Sequence, residues 1–381
     1  MRNLLSSKRF TNTLYFVLAC ICAILLSILP ACSGSSPRGT KAPRSSVLSS
    51  AMEAPTELVT ATPEAFLPEL PVGMMQAMEP KDNALTRELS GTGISQVTVE
   101  TTNFTFEGLV SGPATGEPVV LLHGFPSTSY QWRSQLQALA DAGFRAFAPN
   151  QRGYSPDARP DGVNAYTYDL LAQDVFDIAD ALGWEKFHLV GHDWGAFVSW
   201  AAAGIAPSRI LTLTPISVPH PEAFAEALAD PDGEQAQMSS YMEFFRSSGS
   251  EHTFLDNEAE LLKSIYSSAG LSEKEMEPYL EVLGTPDALG AALNWYRANS
   301  FLGNSTDAIV ARRTEIPDTI VPTMFIWSDQ DTALGRQGAE LTENFVSSDY
   351  RFEVIEEVNH WVTEVAAEQV NHLLLEHLAN S

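Results

Sequence analysis

The stretch most informative for chemistry is Val190 to Trp200, which reads VGHDWGAFVSW and places Asp193 between Gly191 and Gly195. A short apolar run precedes it and residues with helical spacing follow it, so the sequence predicts a strand, a tight turn and a helix. Turns of this type normally present a serine hydroxyl at the centre of a G-x-S-x-G motif. Aspartate offers a carboxylate instead, which is ionised at neutral pH because its ordinary pKa is about 3.9. We therefore predict that Asp193 is a nucleophile that needs no base to remove a proton.

Two further segments with reactive side chains lie near the C-terminus. Asp329 and Asp331 come at the end of the predicted strand TMFIWS, and His360 follows the predicted strand RFEVIEE. The order of nucleophile, acid and histidine resembles that of the α/β-hydrolases. This resemblance implies that the acid is the second aspartate of its loop, Asp331, with Asp329 as the alternative. Asp193, Asp331 and His360 are therefore the expected catalytic residues.

A carboxylate nucleophile implies a reaction in two steps. Attack of Asp193 on a saturated carbon displaces a leaving group and leaves an alkyl ester on the enzyme. His360, oriented and polarised by Asp331, can then deprotonate a water that attacks the ester carbonyl. The oxyanion formed there needs hydrogen-bond donors. The backbone N–H groups of Phe125, in the loop HGFP, and of Trp194 are the candidates.

Dehalogenation and epoxide opening both suit such a nucleophile, and they differ in how the leaving group is stabilised. A halide needs N–H donors, whereas an epoxide oxygen needs an acid that donates a hydrogen bond. The segments SSYMEFFRSSGSE and ALNWYRAN resemble those in which soluble epoxide hydrolases carry two acidic tyrosines, which correspond to Tyr241 and Tyr296. HGFP, GHDWG and NHW also match that family, so the resemblance extends from about Ile94 to the C-terminus. It implies conversion of a small hydrophobic epoxide and water to a vicinal diol.

Two alternatives to this function stay open. A haloalkane-type dehalogenase would use the same catalytic residues, although such enzymes often have Asn where Phe125 stands, and fluoroacetate dehalogenases have Arg where Trp194 stands. A ligand-binding protein on a hydrolase scaffold would have little or no turnover. Arg246 stands where many epoxide hydrolases have Gln, which leaves the substrate range open. The residues expected to line the substrate pocket are Phe125, Trp132, Trp194, Phe244 and Phe245.

An α/β fold must position these residues. Strand and helix patterns alternate along residues 90–217 and 306–381, which predicts a mostly parallel sheet with helices on both faces. Residues 94–100 and 103–110 alternate between apolar and polar side chains and predict an antiparallel pair of strands. Residues 218–305 carry helical patterns and predict an inserted helical cap over the carboxyl edge of the sheet, where open α/β sheets bind ligands. The resemblance implies the α/β-hydrolase fold.

The N-terminal residues are typical of bacterial export. Basic residues precede the apolar run Leu14 to Leu29, and residues 1–31 predict a signal peptide of the lipoprotein type. Cys32, in LPAC, resembles the cysteine that receives lipid in bacterial lipoproteins. Residues 32–89 are rich in Ser, Pro, Thr and Ala and predict a disordered tether. Because Ser33 follows the cysteine, we expect a lipid anchor in the outer membrane of the cell envelope, and otherwise a periplasmic or secreted protein.

Composition excludes several classes of partner. The formal charge is −26, and residues 1–31 carry three Lys or Arg and no Asp or Glu, so the rest of the chain carries −29. So acidic a surface repels nucleic acid and anionic lipid. Cys32 is the last cysteine, so the folded domain has no cysteine chemistry. Neither metal-ligand spacing nor a phosphate-binding loop is present, so no metal or other cofactor is predicted. The sequence leaves the oligomeric state open.

Overall fold

A nine-stranded sheet is the centre of the fold in residues 75–299 and 315–380, the part of the chain that the computed structural model describes. Its middle strands are continuous apolar runs such as Val119 to Leu122, in which each residue is at most 1% exposed. Runs of this kind suit strands that are covered on both faces. The strands are β1 (Met75–Ala77), β2 (Ser95–Glu100), β3 (Thr105–Ser111), β4 (Pro118–Leu122), β5 (Arg145–Pro149), β6 (Phe187–His192), β7 (Ile210–Ile216), β8 (Thr323–Gln330) and β9 (Tyr350–Asn359).

The strand order across the sheet is β1-β2-β3-β5-β4-β6-β7-β8-β9. β1, β2, β3 and β5 pair antiparallel, whereas β5, β4, β6, β7, β8 and β9 are parallel to one another. The predicted antiparallel pair corresponds to β2 and β3, in which Val97 lies opposite Gly108. The predictions of a mostly parallel sheet and of this pair are confirmed. The carboxyl ends of the parallel strands meet at one edge, where the loops that follow them carry the predicted catalytic aspartates and histidine.

Helices pack against the sheet and above its carboxyl edge. β4 connects to β5 towards one side of the sheet and β6 connects to β7 towards the other, so right-handed crossovers place the intervening helices on opposite faces. The helices of the described residues are α1 (Ala84–Leu89), α2 (Arg133–Asp141), α3 (Tyr168–Ala181), α4 (Trp194–Ile205), α5 (Pro221–Leu228), α6 (Glu234–Met238), α7 (Tyr241–Arg246), α8 (Ser250–Ser268), α9 (Glu273–Leu283), α10 (Pro286–Ala298), α11 (Arg336–Leu341), α12 (Val362–Val365) and α13 (Ala367–Ala379). α2 packs against α13, and α3 packs against α4.

The segment predicted as a cap lies between β7 and β8. Its described residues, 217–299, contain helices α5 to α10 and no strand. Local signals start these helices: Ser272 and Glu275 form a capping box at α9, and Thr285 caps α10 with Pro286 at its first position. α10 packs against α7 and α8. The two helices that carry Tyr241 and Tyr296 are therefore neighbours.

The tether predicted for residues 32–89 includes residues that are in fact folded. β1 extends the sheet by pairing with β2, and Met75 is buried there. The backbone N–H of Ala84, the first residue of α1, donates to the side chain of Glu281 in α9 at 2.7 Å. The prediction is therefore wrong for residues 75–89. Composition could not show this, because a three-residue strand and a six-residue helix are too short for a periodic pattern.

Several predictions concern residues outside the described ranges. These are the signal peptide, Cys32, the first part of the tether and the start of the second core segment at residue 306. Among the helices of the described residues, none combines the length and the apolar character that crossing a membrane requires.

Candidate active site

Asp193 lies at a sharp turn between β6 and α4. Its backbone has φ 52° and ψ −122°, in a region that residues other than glycine rarely adopt. Two glycines make the turn possible, since a Cβ on Gly191 would overlap the backbone of Gly195, and a Cβ on Gly195 would overlap the backbone of Leu122 in β4. The G-x-D-x-G spacing therefore lets the helix start directly against the strand, with the aspartate at the carboxyl edge of the sheet.

The two oxygens of the Asp193 carboxylate have different surroundings. Oδ1 accepts a hydrogen bond from the backbone N–H of Phe125 at 2.8 Å, and the backbone N–H of Trp194 also bonds the carboxylate. Gly124 leaves the necessary space, because a Cβ there would overlap the Asp193 side chain. Oδ2 faces His360, whose Nε2 lies 3.6 Å away. Both predicted oxyanion donors thus bond the carboxylate, while one of its oxygens stays beside the histidine.

His360 connects Asp193 to Asp331. Nδ1 of His360 lies 2.7 Å from Oδ2 of Asp331, and because a carboxylate only accepts, Nδ1 carries a proton. Oδ1 of Asp331 accepts two backbone N–H groups of the following turn, at 2.8 and 2.9 Å. The alternative acid, Asp329, instead accepts a backbone N–H of β9. The structure therefore brings Asp193, His360 and Asp331 together and leaves Asp329 outside the group.

Burial and charge set the protonation states of these three residues. Burial lowers the pKa of His360, but the carboxylates of Asp331 and Asp193 outweigh it and raise the pKa to about 10. Burial raises the pKa of Asp193, but hydrogen bonding to His360, the charge of His360 and the Trp194 N–H hold it below its ordinary value. At neutral pH the resting site therefore contains an ionised Asp193 and a protonated His360.

The two predicted tyrosines meet beside Asp193. The ring of Tyr296 packs edge-to-face on Trp194 with centroids 4.9 Å apart. The ring of Phe245 contacts both phenols, at 4.9 Å from Tyr241 and 5.1 Å from Tyr296. Burial raises the pKa of both phenols above the ordinary value of 10. Each phenol therefore keeps its proton at neutral pH and can donate a hydrogen bond.

The position of Tyr296 is fixed by its neighbour Trp295. The Nε1–H of Trp295 donates to the backbone carbonyl of Arg152 at 2.9 Å. The Arg152 guanidinium is held in turn by Asp174 of α3 through hydrogen bonds of 2.7 and 2.6 Å. This buried ion pair fixes the backbone on which the cap helix α10 rests. The sequence analysis did not predict this ion pair, because no motif relates Arg152, Asp174 and Trp295, which lie in three separate segments of the chain.

A small cavity, partly open to solvent, lies beside the carboxylate and the two phenols. Apart from the reactive groups, its walls are apolar. The residues that line it are Asp193, Trp194, Phe197, Val218, Phe224, Tyr241, Met242, Tyr296 and Leu334.

The residues predicted to line the pocket occupy three different places. Trp194 lines the cavity. Phe125, Phe244 and Phe245 form an adjoining aromatic cluster, in which the rings of Phe125 and Phe245 are 5.4 Å apart and those of Phe244 and Phe245 6.0 Å apart. Trp132 is fully buried in the hydrophobic core and does not line the cavity, which corrects that prediction.

Sequence reasoning also missed several residues of the cavity wall. Phe197 lies four residues after Asp193, in the first turn of α4, and its backbone N–H donates to the Asp193 carbonyl at 3.1 Å. This spacing was an available signal. Phe224, Met242 and Leu334 had none, because their positions depend on how the cap packs over the sheet.

Aspartate and histidine side chains can also act as metal ligands. Within the described ranges, His, Cys, Asp and Glu side chains form no group of three or more that could hold a metal ion. The site as a whole consists of the three core side chains Asp193, His360 and Asp331 and of the two cap phenols that face them.

Comparison with known proteins agrees with this geometry. Residues 117–367 match the family model described as the alpha/beta hydrolase fold. The AB hydrolase superfamily protein YfhM of Bacillus subtilis is 32% identical over 298 residues, which cover 76% of this chain and 99% of YfhM. Epoxide hydrolase A of Mycobacterium tuberculosis is 32% identical over 298 residues, which cover 69% of this chain and 91% of that protein. A solved structure described as one of the novel epoxide hydrolases in metagenomes from hot environments has a TM-score of 0.65 at 28% identity, covering 75% of this chain and 99% of the other.

The chain belongs to the α/β-hydrolase fold family, and the predicted fold class is confirmed. Within that fold it is a member of the epoxide hydrolase family, as the sequence resemblance implied. The site described above is accordingly that of a hydrolase.

The charge of Asp193 should be visible in the titration of His360. Because Asp193 is one of the two carboxylates that raise the pKa of His360 to about 10, Asp193→Asn should lower that pKa. An NMR titration of the histidine ring nitrogens measures it. Asp329→Asn is the matched control and should leave the pKa unchanged, since Asp329 bonds a backbone N–H of β9 instead. An unaltered His360 titration in Asp193→Asn would contradict the coupling.

Proposed function

We propose that this protein is an epoxide hydrolase that converts small hydrophobic epoxides to vicinal diols through an ester on Asp193. The observation that carries the proposal is the meeting of an ionised carboxylate with two protonated phenols, Tyr241 and Tyr296, around one apolar cavity. A charged nucleophile and an acid are the two groups that opening of an epoxide ring requires. Epoxide hydrolase relatives at about 30% identity support the proposal.

In the first step, Oδ2 of Asp193 attacks a ring carbon of the epoxide. The ring C–O bond breaks, its electron pair moves to the ring oxygen, and a phenol of Tyr241 or Tyr296 donates a proton to that oxygen. Without such a donor the alkoxide would be a poor leaving group. The N–H of Phe125 holds Oδ1 meanwhile, so the attacking oxygen stays oriented towards the cavity. The product is an ester between Asp193 and the substrate.

Ester formation prepares His360 for the second step. It removes the charge of Asp193, so one of the two carboxylates that raise the pKa of His360 is lost and that pKa falls. His360 then gives up its proton, which restores the phenol that had donated to the ring oxygen. His360 is therefore neutral before the second step, in which it acts as the base.

In the second step, neutral His360 takes a proton from a water molecule that attacks the ester carbonyl. Negative charge develops on the carbonyl oxygen, which the N–H groups of Phe125 and Trp194 face. The acyl C–O bond then breaks, and the departing oxygen takes the remaining proton of the attacking water, which releases the diol. The Asp193 carboxylate is regenerated with one oxygen from water, and His360 is protonated as at the start.

Replacement of the base should separate the two steps. In His360→Gln the carboxylate can still attack, but no base activates the water, so the alkyl ester should persist. Intact-protein mass spectrometry after incubation with styrene oxide should show an increase of one substrate mass, and Asp193→Asn should show none. A single turnover of the native chain in ¹⁸O-labelled water should label Asp193 and leave the diol unlabelled. Label found directly in the diol would rule out the ester.

Loss of either phenol should impair epoxide opening selectively. Tyr241→Phe and Tyr296→Phe should each lower kcat/KM for the epoxide, and the double substitution should lower it by roughly 10²–10⁴, the usual worth of general acid assistance. Tyr350→Phe on β9, which removes a half-buried phenol outside the cavity, is the control. Halide release from matched haloalkanes, measured alongside, tests the dehalogenase alternative. Halide release as fast as diol formation, and insensitive to both substitutions, would favour that alternative.

We also propose, from residues 1–32 alone, that the protein is exported and anchored by lipid on Cys32. The apolar run and the motif LPAC support this proposal. In a bacterial host, Cys32→Ser should move the protein from the membrane fraction to the soluble fraction and abolish labelling by a fatty-acid analogue. Ser33→Ala is the control and should stay in the membrane fraction. Equal membrane association of native and Cys32→Ser chains would contradict the anchor.

A further inference from the structure

The end of the cap helix α8 bonds the loop that carries the Phe125 donor. The hydroxyl of Tyr266 donates to the backbone carbonyl of Pro126 at 2.8 Å, and Pro126 directly follows Phe125. The Tyr266 side chain is only 1% exposed, so water cannot easily replace this bond. A buried hydrogen bond from the cap therefore fixes the chain next to the N–H that holds Asp193.

Two residues further along α8, Ser268 bonds the loop that carries the base. Its carbonyl accepts Nδ2–H of Asn359 at 2.9 Å, and its hydroxyl accepts Nε1–H of Trp361 at 3.1 Å. Asn359 and Trp361 flank His360 and are also bonded to each other, through the Trp361 N–H and Oδ1 of Asn359 at 3.0 Å. Both neighbours of the histidine are thus held by a single cap residue.

A buried network anchors this part of α8 to the core. The ring of Tyr266 stacks on Tyr279 of α9, with centroids 5.1 Å apart and an interplanar angle of 25°. The hydroxyl of Tyr279 donates to Glu364 of α12, which also forms an ion pair with Arg133 of α2 at 2.7 Å. The end of α8 is therefore fixed relative to the sheet and can determine where the two loops lie.

We propose that Tyr266 and Ser268 are positioning residues that fix the distance between the Phe125 N–H and His360 for hydrolysis of the Asp193 ester. The inference rests on the function proposed above, since it assigns these residues to one step of that reaction. Neither residue touches the reacting atoms. Each acts through the loop that it bonds.

The two steps differ in what they require from these loops. Attack on the epoxide needs an ionised Asp193 and a phenol; the Phe125 N–H only orients a carboxylate that is already charged, and His360 does not act as a base. Hydrolysis needs His360 to activate the water while the N–H groups of Phe125 and Trp194 bind the carbonyl oxygen of the same ester. Loss of an entire oxyanion donor typically costs roughly 10²–10³ in rate, and displacement of one should cost less, on the order of 10-fold. Loosening of the loops should therefore slow hydrolysis much more than ester formation.

Single-turnover measurements on the full chain with styrene oxide resolve the two steps. Rapid quenching followed by intact-protein mass spectrometry reports the ester, and diol release reports its hydrolysis. Tyr266→Phe and Ser268→Ala should each slow hydrolysis on the order of 10-fold and leave ester formation within about twofold, so that the ester accumulates. Ser268→Ala and Trp361→Phe should be non-additive, because each removes the same hydrogen bond.

The chain provides a matched control for each substitution. The hydroxyl of Tyr166 also donates to a proline carbonyl, that of Pro160, at 2.8 Å. The hydroxyl of Ser264 donates to the carbonyl three residues earlier in α8, as that of Ser268 does. Tyr166→Phe and Ser264→Ala remove comparable bonds away from both catalytic loops and should leave the ratio of the two rates unchanged. Thermal unfolding of every variant separates loss of stability from loss of positioning.

The possible outcomes distinguish this inference from the proposed function. If the native chain forms and hydrolyses the ester but Tyr266→Phe and Ser268→Ala hydrolyse it at the native rate, the inference is wrong and the function stands. The inference is also wrong if each substitution slows ester formation and ester hydrolysis in the same proportion, and if control variants with an equal loss of Tm slow them as much. Tyr266 and Ser268 then only stabilise the fold. Absence of an ester in both the native chain and His360→Gln would overturn the proposed function itself.

Discussion

A carboxylate that stays ionised inside an apolar site needs hydrogen bonds and an opposite charge close by, and the Asp193 carboxylate has both. Oδ1 accepts the N–H of Phe125, and Oδ2 faces a protonated His360. Other features of the site follow from this requirement. The elbow backbone is strained so that the side chain reaches the donors, and Gly124 has no side chain that would block it. The same two contacts that stabilise the charge also orient the oxygen that faces the cavity.

The core and the cap contribute different chemistry, and three of the contacts between them are hydrogen bonds to backbone carbonyls. The carboxyl edge of the sheet supplies the nucleophile, the base and the oxyanion donors, whereas the cap supplies both phenols. Trp295 bonds the carbonyl of Arg152, Tyr266 bonds that of Pro126, and Asn359 of the core bonds that of Ser268. Because carbonyl groups are present whatever the side chain, these contacts constrain the path of the chain more than its composition at the accepting positions.

The sequence predicts the elements that local patterns determine. The middle strands are continuous apolar runs, and the spacing of Gly191, Asp193 and Gly195 encodes a turn with no room for side chains on either flank. The choice of Asp331 over Asp329 needed the family resemblance, because both aspartates lie at the end of one strand and only the fold shows which of them meets His360. The positions of Phe224, Met242 and Leu334 in the cavity wall and the bonds of Tyr266 could not be predicted, since they depend on the packing of the cap.

Insertion of the cap between β7 and β8 also has a consequence for how the chain folds. Leu213 pairs with Thr323, 110 positions later, so this central contact of the sheet closes a very long loop. Loop closure costs entropy that grows slowly with length, and chains rich in such distant parallel pairings fold slowly. We expect that the apolar edge of β7 stays exposed while the cap is being synthesised, which makes this stretch the one most in need of chaperone protection.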